Sequence, residues 1–435
     1  MIVWVLNIGA EKYWNTVNAG IVDPNENIIV NRVEEMNLML CREQDVMILR
    51  EKPDEFFLMK LQELGFSIPR ILTPDHADLL TPISELILKD VKLQQEILSL
   101  SADYEKAYFV PYAVTALEEQ IANKCGLKIM SAPSHVSALI NDKIFNRRMA
   151  ENLGFDVCKG KVCHSIEEIS EEYTRLVQES PFFDKVIIKE PFGASGKGLY
   201  IVDSEERLKS LLVRLKRFSR NRVDCSWIVE GWYPKKVDIN YQIYIAPNGS
   251  IETFSIKEQV LRDTVYIGSR MPVQLSDQHI RLYKKFGDQI GKYLFELGYT
   301  GIASIDSIIT ETDVIIPIIE INGRFTLSTY ISFLQNILGE VQVFTPYSKM
   351  ITDSPLGYRE LCLALENEGI LYDIHKKEGV IVYTAGTLPS RSIDDSGVFP
   401  GRLFTLIVGE SWKAIETYAN KLENLVDNLQ HKSIY

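Results

Sequence analysis

Asp306, Glu320, Asn322 and Arg324 are the residues of this chain whose types and spacing best suit chemistry. They bracket two apolar, strand-like runs joined by the polar turn Thr310-Glu-Thr-Asp313. Asp306 leads into the first run, and Glu320 and Asn322 close the second. A hairpin brings those outer ends together, and residues two apart on a strand face the same way. The result is a cluster of hard oxygen donors suited to Mg²⁺ on nucleotide phosphates. Two carboxylates converging without a cation would repel, so a metal or Arg324 is expected between them. Arg324, two residues beyond Asn322, adds a cation on that face for an anionic substrate.

A second stretch, Val186-Ile-Ile-Lys189-Glu-Pro-Phe-Gly193-Ala-Ser195-Gly196-Lys197-Gly198, ends a buried strand in a lysine and then turns through glycines. Glycine lets backbone amides come close to phosphate oxygens. It is not a Walker A loop, because neither Lys-Ser nor Lys-Thr follows Gly198. Alone, the turn fits equally a hairpin whose glycines serve local geometry. Lys189 after Val-Ile-Ile would be costly to bury unpartnered, which favours an anionic ligand. Lys143 opens a helix, where cations are disfavoured, so an anion is expected nearby; the plain alternative is an exposed first-turn lysine. Lys257 and Arg270 read as exposed strand or loop charges slightly more readily than as ligand-facing cations. Trp232 and Tyr233, after the short strand that ends at Glu230, serve packing as readily as ligand contact.

The elements that must position these residues fall into three stretches. Residues 1–130 alternate strand-like runs (2–8, 45–49, 107–111, 127–130) with helical ones (56–65, 84–103, 115–126), which predicts a parallel sheet with covering helices. No GxGxxG follows the first strand, so a dinucleotide fingerprint is absent. From 141 a helix runs to 153, where Gly154 is a stop. Strands and helices then alternate to the hairpin at Pro247-Asn-Gly249 and a long amphipathic helix over 278–297. Beyond 345 come a helix (358–368), a strand (379–384), a polar loop (388–401), a strand (402–408) and a helix (411–426).

Composition bounds the class. At 435 residues, with 46% apolar and 24% charged residues, the chain is an ordinary globular protein of two or three domains. A net charge of −12 without a basic block argues against nucleic acid. The cations over 209–222 read as a solvated helix face. Six scattered cysteines complete no zinc site and read as reduced thiols. Neither a signal peptide nor a run of the roughly 20 apolar residues that cross a membrane is present, so a cytoplasmic protein without a membrane partner is expected.

Lys143, Lys189, Glu230, Asp306, Glu320, Asn322 and Arg324 occur in the order and context of the ATP-grasp superfamily, and residues 134–330 resemble its carboxylate ligases, such as biotin carboxylase and D-alanine–D-alanine ligase. The resemblance implies an α/β fold: an ATP-grasp domain (134–344), a parallel α/β pre-ATP-grasp domain before it (1–133) and a small α/β tail (345–435). It implies that ATP is held by Lys143, Lys189, the turn residues Gly193, Ser195, Gly196 and Gly198, and the hinge Glu230, Trp232 and Tyr233. Mg²⁺ or Mn²⁺ would sit on Asp306, Glu320 and Asn322. Asp306 is shorter than the Glu often found there. Arg324 and Lys189 would be catalytic.

The N-terminal domain, the Glu320-Ile-Asn322-Gly-Arg324-Phe-Thr326 signature and the tail look like the amino-acid and peptide ligases of antibiotic and other natural-product pathways, including the butirosin acyl-carrier-protein–glutamate ligase type. The activity implied is activation of a carboxylate, such as that of glutamate, as an acyl phosphate. Transfer to a carrier-protein thiol or an amine would follow, releasing ADP and phosphate. The rival readings are a small-molecule amino-acid ligase without a carrier, a kinase-like member, and a nucleotide-binding regulatory protein.

Overall fold

Val3, Val5, Val46 and Ile48 point to one hydrophobic core, while Trp4 and Met47 between them point to another. A sheet buried on both faces is the signature of parallel pairing. In the computed structural model, which describes residues 1–14, 24–179, 183–193, 198–219, 225–262, 265–392 and 397–430, the strands Arg70–Leu72, Val46–Ile48, Ile2–Val5, Tyr108–Pro111 and Lys128–Ile129 lie side by side in that order, all parallel. Arg70–Leu72, too short to carry a pattern, was not expected. The helical stretch expected over 84–103 is two helices, Ile83–Lys89 and Val91–Ala102. Asp90 ends the first and caps the second by accepting from the Leu93 amide at 2.9 Å.

The second sheet is antiparallel. Its order runs Ile315–Asn322, Gly301–Thr310, Lys235–Ile245, Ile251–Arg262, Val265–Met271, Gln342–Phe344, Phe399–Gly409 and Tyr347–Thr352, and Gly379–Val382 also pairs with Phe399–Gly409. Ile239, Tyr241, Ile243, Ile305 and Ile321 fill a core with Tyr283, Ile290 and Leu294 of the helix Asp277–Glu296. Residues between them, among them Asn240, Gln242, Ser304, Asp306, Glu320 and Asn322, occupy the opposite face by strand alternation. The C-terminal strands are hydrogen-bonded into this same sheet, and their apolar residues pack with Trp4, Leu6 and Met47 of the N-terminal sheet. Buried Glu35 fastens that contact by accepting from the Ala385 and Gly386 amides at 2.6 and 2.8 Å.

A third sheet, Gly160–Cys163, Trp227–Gly231, Val186–Lys189 and Leu199–Val202, is antiparallel throughout. Val186, Ile188, Trp227 and Val229 face a core beneath the helices Ile166–Gln178 and Glu205–Ser219, leaving Ile187, Lys189, Ile228 and Glu230 on the other face. At Gly160 the φ is 152°, and a Cβ would lie 2.0 Å from the Val229 carbonyl oxygen. Gly160→Ala should therefore pry this edge strand from its neighbour and destabilise the protein by about 2 kcal/mol or more, measurable by urea unfolding.

Among the described residues no helix is long and apolar enough to cross a membrane.

Candidate active site

The hairpin forms with the register its pattern predicts. Asp306 lies directly opposite Glu320, and Ser304 opposite Asn322, across the pair Gly301–Thr310 and Ile315–Asn322. The row continues sideways, with Asn240 opposite Asp306 and Lys257 opposite Asn240. Burial, reinforced by the Glu320 carboxylate, pushes the Asp306 carboxyl up to about 7, although amide hydrogen bonds from Asn240 and Gln259 oppose the shift. Two carboxylates and one amide supply oxygen donors only, and a hard divalent cation between them would relieve the repulsion that raises Asp306. Mg²⁺ therefore fits this donor set. Among the described residues no three His, Cys, Asp or Glu side chains gather elsewhere to compete as a metal site.

Lys143 opens the helix Lys143–Asn152, whose cap is Asp142 accepting from the Ile144 amide at 2.7 Å. Far from being an exposed first-turn residue, Lys143 is buried. Its ammonium donates to Glu320 Oε1 at 3.0 Å and to the Gly193 carbonyl at 2.9 Å. One side chain thus spans the carboxylate strand and the root of the glycine turn. The Lys143 amide donates to the Pro191 carbonyl at 2.9 Å, fixing the same junction. At the far end of the turn, Gly198 has φ 75° and its carbonyl accepts from the Glu190 amide at 2.8 Å. Ser195 and Gly196 lie outside the described residues.

Lys189 and Glu230 come from adjacent strands of the third sheet and meet at 2.6 Å. Arg147, one helical turn after Lys143, reaches the other Glu230 oxygen at 2.5 Å. All three side chains are only 7% exposed. Burial works against both charges of the Lys189–Glu230 pair. Their mutual attraction more than offsets it, holding the ammonium above and the carboxyl below its ordinary range. A cavity between the second and third sheets is lined by Lys143, Arg147, Cys158, Lys189, Ile228 and Ile318. Arg147 was not anticipated, although its spacing of four from Lys143 places it on the same helix face.

The segment after Glu230 is held by its backbone. The Gly231 amide donates to the Lys159 carbonyl and the Trp232 amide to the Lys185 carbonyl, each at 2.9 Å. Tyr233 packs against Phe183 with the rings tilted at 57°, and its hydroxyl accepts from the Lys159 amide at 3.3 Å. Lys235 lies over the Trp232 ring, with its ammonium 5.4 Å from the centroid.

Arg324 reaches across to the N-terminal sheet. Its guanidinium pairs with Glu11 at 2.9 Å, donates to the Tyr112 hydroxyl at 2.9 Å, and stacks over that ring with 5.1 Å to the centroid. Lys257 requires a correction: it is fully buried, not an exposed strand charge. Its ammonium donates to the Ser328 carbonyl at 2.7 Å and to the Ser332 hydroxyl at 2.5 Å. With no carboxylate among the described residues to offset burial, the group is driven well below the ordinary lysine range. Arg270 stays at the surface beside Glu258, at 3.3 Å. All six cysteines are free.

Three family models match the chain: Pre ATP-grasp domain over residues 33–127, ATP-grasp domain over 148–325, and PGM1 C-terminal domain over 360–422. The fold is shared at low identity with N5-carboxyaminoimidazole ribonucleotide synthetase, solved as an ADP complex. There the TM-score is 0.56 at 14% identity, covering 92% of this chain and 96% of that one. The biotin carboxylase domain of Hydrogenobacter thermophilus 2-oxoglutarate carboxylase, solved with MgADP, ADP and bicarbonate, gives a TM-score of 0.53 at 14% identity, covering 97% and 89%. In sequence, the butirosin acyl-carrier protein–L-glutamate ligase of Niallia circulans is 30% identical over 334 residues, which is 76% of this chain and 73% of that relative. At that identity and coverage the likeness goes beyond a common fold, and the chain belongs to the ATP-grasp family as an ATP-grasp ligase.

Proposed function

We propose that this ligase activates an amino-acid carboxylate, such as that of glutamate, as an acyl phosphate and transfers the acyl group to a carrier-protein thiol, releasing ADP and phosphate. The observation that carries the reading is the Asp306–Glu320 pair set opposite itself on the ladder, with Lys143 tying Glu320 to the root of the glycine turn. The relative named for an acyl-carrier protein and L-glutamate supports the choice of acceptor and acid.

In this reading Lys143 and Lys189 bind ATP phosphates, and the cavity between the two antiparallel sheets receives the base beside Cys158, Ile228 and Ile318. The backbone on either side of the glycine turn, at Gly193 and Gly198, borders the phosphates; Glu230 holds Lys189 in place, and Trp232 and Tyr233 brace the hinge. Asp306, Glu320 and Asn322 hold Mg²⁺ or Mn²⁺, which neutralises phosphate charge when bound. A carboxylate oxygen of the substrate attacks the γ-phosphorus as the bond to ADP breaks. The thiolate then attacks the acyl carbon, and phosphate leaves. Arg324, fixed by Glu11 and Tyr112, stabilises the oxyanion of that second step. Lysine could serve only one of the two directions the Arg324 fork covers, so Arg324→Lys should lower kcat by about 100-fold with little change in the ATP KM.

The test is Mg²⁺-dependent turnover with pooled amino acids, with and without a phosphopantetheinylated carrier protein. A carrier that gains the mass of one aminoacyl group while ADP forms supports the proposal. ADP formed equally well from amino acids without any carrier would move the acceptor to a small-molecule amine.

A further inference from the structure

Asp306 is held by more than its own hairpin. Its Oδ1 accepts from Asn240 Nδ2 at 2.8 Å and from Gln259 Nε2 at 2.8 Å. Asn240 stands directly across the ladder, and Gln259 reaches over that strand from Ile251–Arg262. Two amide donors fill the two lone-pair directions of one carboxylate oxygen. No donor among the described residues reaches Oδ2.

The donors are themselves fixed. Asn240 Nδ2 also donates to the Ser304 hydroxyl at 2.7 Å, while its Oδ1 accepts from Gln242 Nε2 at 2.9 Å and from the Ser328 hydroxyl at 3.2 Å. Exchanging the nitrogen and oxygen of Asn240 would set oxygen against Asp306 and nitrogen against Gln242, so the network settles which way the amide points. Through Ser328, whose carbonyl accepts from Lys257, the network ends on the segment that follows Arg324.

We propose that Asn240 and Gln259 are positioning residues that saturate one oxygen of Asp306 and leave Oδ2 as its single ligand atom for the divalent cation. This rests on the proposed role of Asp306 as a metal ligand. A carboxylate held to one oxygen suits Mg²⁺ and Mn²⁺, which demand near-octahedral geometry, and works against Ca²⁺, which readily takes both oxygens of a carboxylate. The two amides would therefore set metal selectivity as well as affinity.

Mn²⁺ binding in the presence of ADP, followed by electron paramagnetic resonance and by competition with Ca²⁺, tests this without turnover. Gln259→Met, at a half-buried position, and Asn240→Ser should each weaken Mn²⁺ binding about tenfold or more and narrow the preference for Mn²⁺ over Ca²⁺. A purely structural role would lower Tm but leave that preference unchanged. Asp306→Asn separates the two ideas. If it abolishes Mn²⁺ binding while Gln259→Met keeps wild-type affinity and selectivity, the positioning role is wrong and the ligand role stands. If Asp306→Asn binds Mn²⁺ like the wild type, both are wrong. Should Asn240→Ser not fold, Gln259→Met decides alone.

Discussion

Replacing Asp306 by Asn should lower turnover by about 10³-fold or more and at the same time stabilise the metal-free protein at neutral to alkaline pH. The loss of activity follows from removing a charged ligand at the point where phosphate charge must be neutralised. The gain in stability follows from the pKa of Asp306, raised to about 7 by burial and by Glu320. Unfolded, this carboxyl titrates near its ordinary value of about 3.9. Between those two values the folded protein holds a proton that the unfolded chain has lost. Its stability therefore falls as pH rises through the window, and is lowest above 7. Asn lacks that penalty and keeps an oxygen for the two amide donors. Thermal unfolding in EDTA should show wild type and Asp306→Asn together near pH 4 and the variant more stable at pH 8. Mg²⁺ with ADP should close the gap by stabilising the wild type alone. A variant that keeps wild-type turnover would remove Asp306 from the chemistry.

Glu230→Gln should be among the most destabilising single polar substitutions in the chain, at about 3 to 5 kcal/mol. It leaves Lys189 and Arg147 buried together with no carboxylate between them, where each now has a Glu230 oxygen within 2.6 Å. Arg147 retains Glu151 at 3.0 Å, whereas Lys189 keeps no ion-pair partner among the described residues. Adding Lys189→Met to Glu230→Gln should thus recover much of the stability, because the uncompensated ammonium is removed. It should not recover turnover, because Lys189 is a proposed phosphate contact. Urea unfolding of the single and double variants, with ADP formation measured on each, separates the two roles. An additive double variant would mean that the pair is not coupled.

The central hairpin was legible because it is local: two apolar runs, a polar turn, and Asp306, Glu320 and Asn322 at spacings that alternation places on one face. Lys143 and Lys189 stood out because each occupies a position that opposes a charge unless an anion is near. Arg147 lacked any such conflict, being mid-helix, and only its distance of four from Lys143 hinted at a shared face. Asn240 and Gln242 were also within reach, since Asp238-Ile-Asn240-Tyr-Gln242-Ile243 alternates polar and apolar residues as a half-buried strand does. Their register against Asp306 was not, because pairing between distant strands leaves no mark in either one. The same limit hid Arg324–Tyr112, which are 212 residues apart. Lys257 was misread for a physical reason: a lysine between Ile256 and Glu258 looks solvated, and its neutral partners Ser328 and Ser332 arrive only with the fold. The short strand Gln342–Phe344 carried too few residues for a pattern, yet it joins the C-terminal strands to the main sheet.

If the carboxylate is activated as an acyl phosphate on the site built around Asp306, Glu320 and Lys143, one of its oxygens must leave with phosphate. Turnover with an amino acid labelled with ¹⁸O in its carboxylate, in the presence of the acceptor, tests it directly by mass spectrometry of the nucleotide and phosphate products. ADP should carry no label, and inorganic phosphate should carry one ¹⁸O. Label in AMP, or ADP formed with unlabelled phosphate, would contradict it.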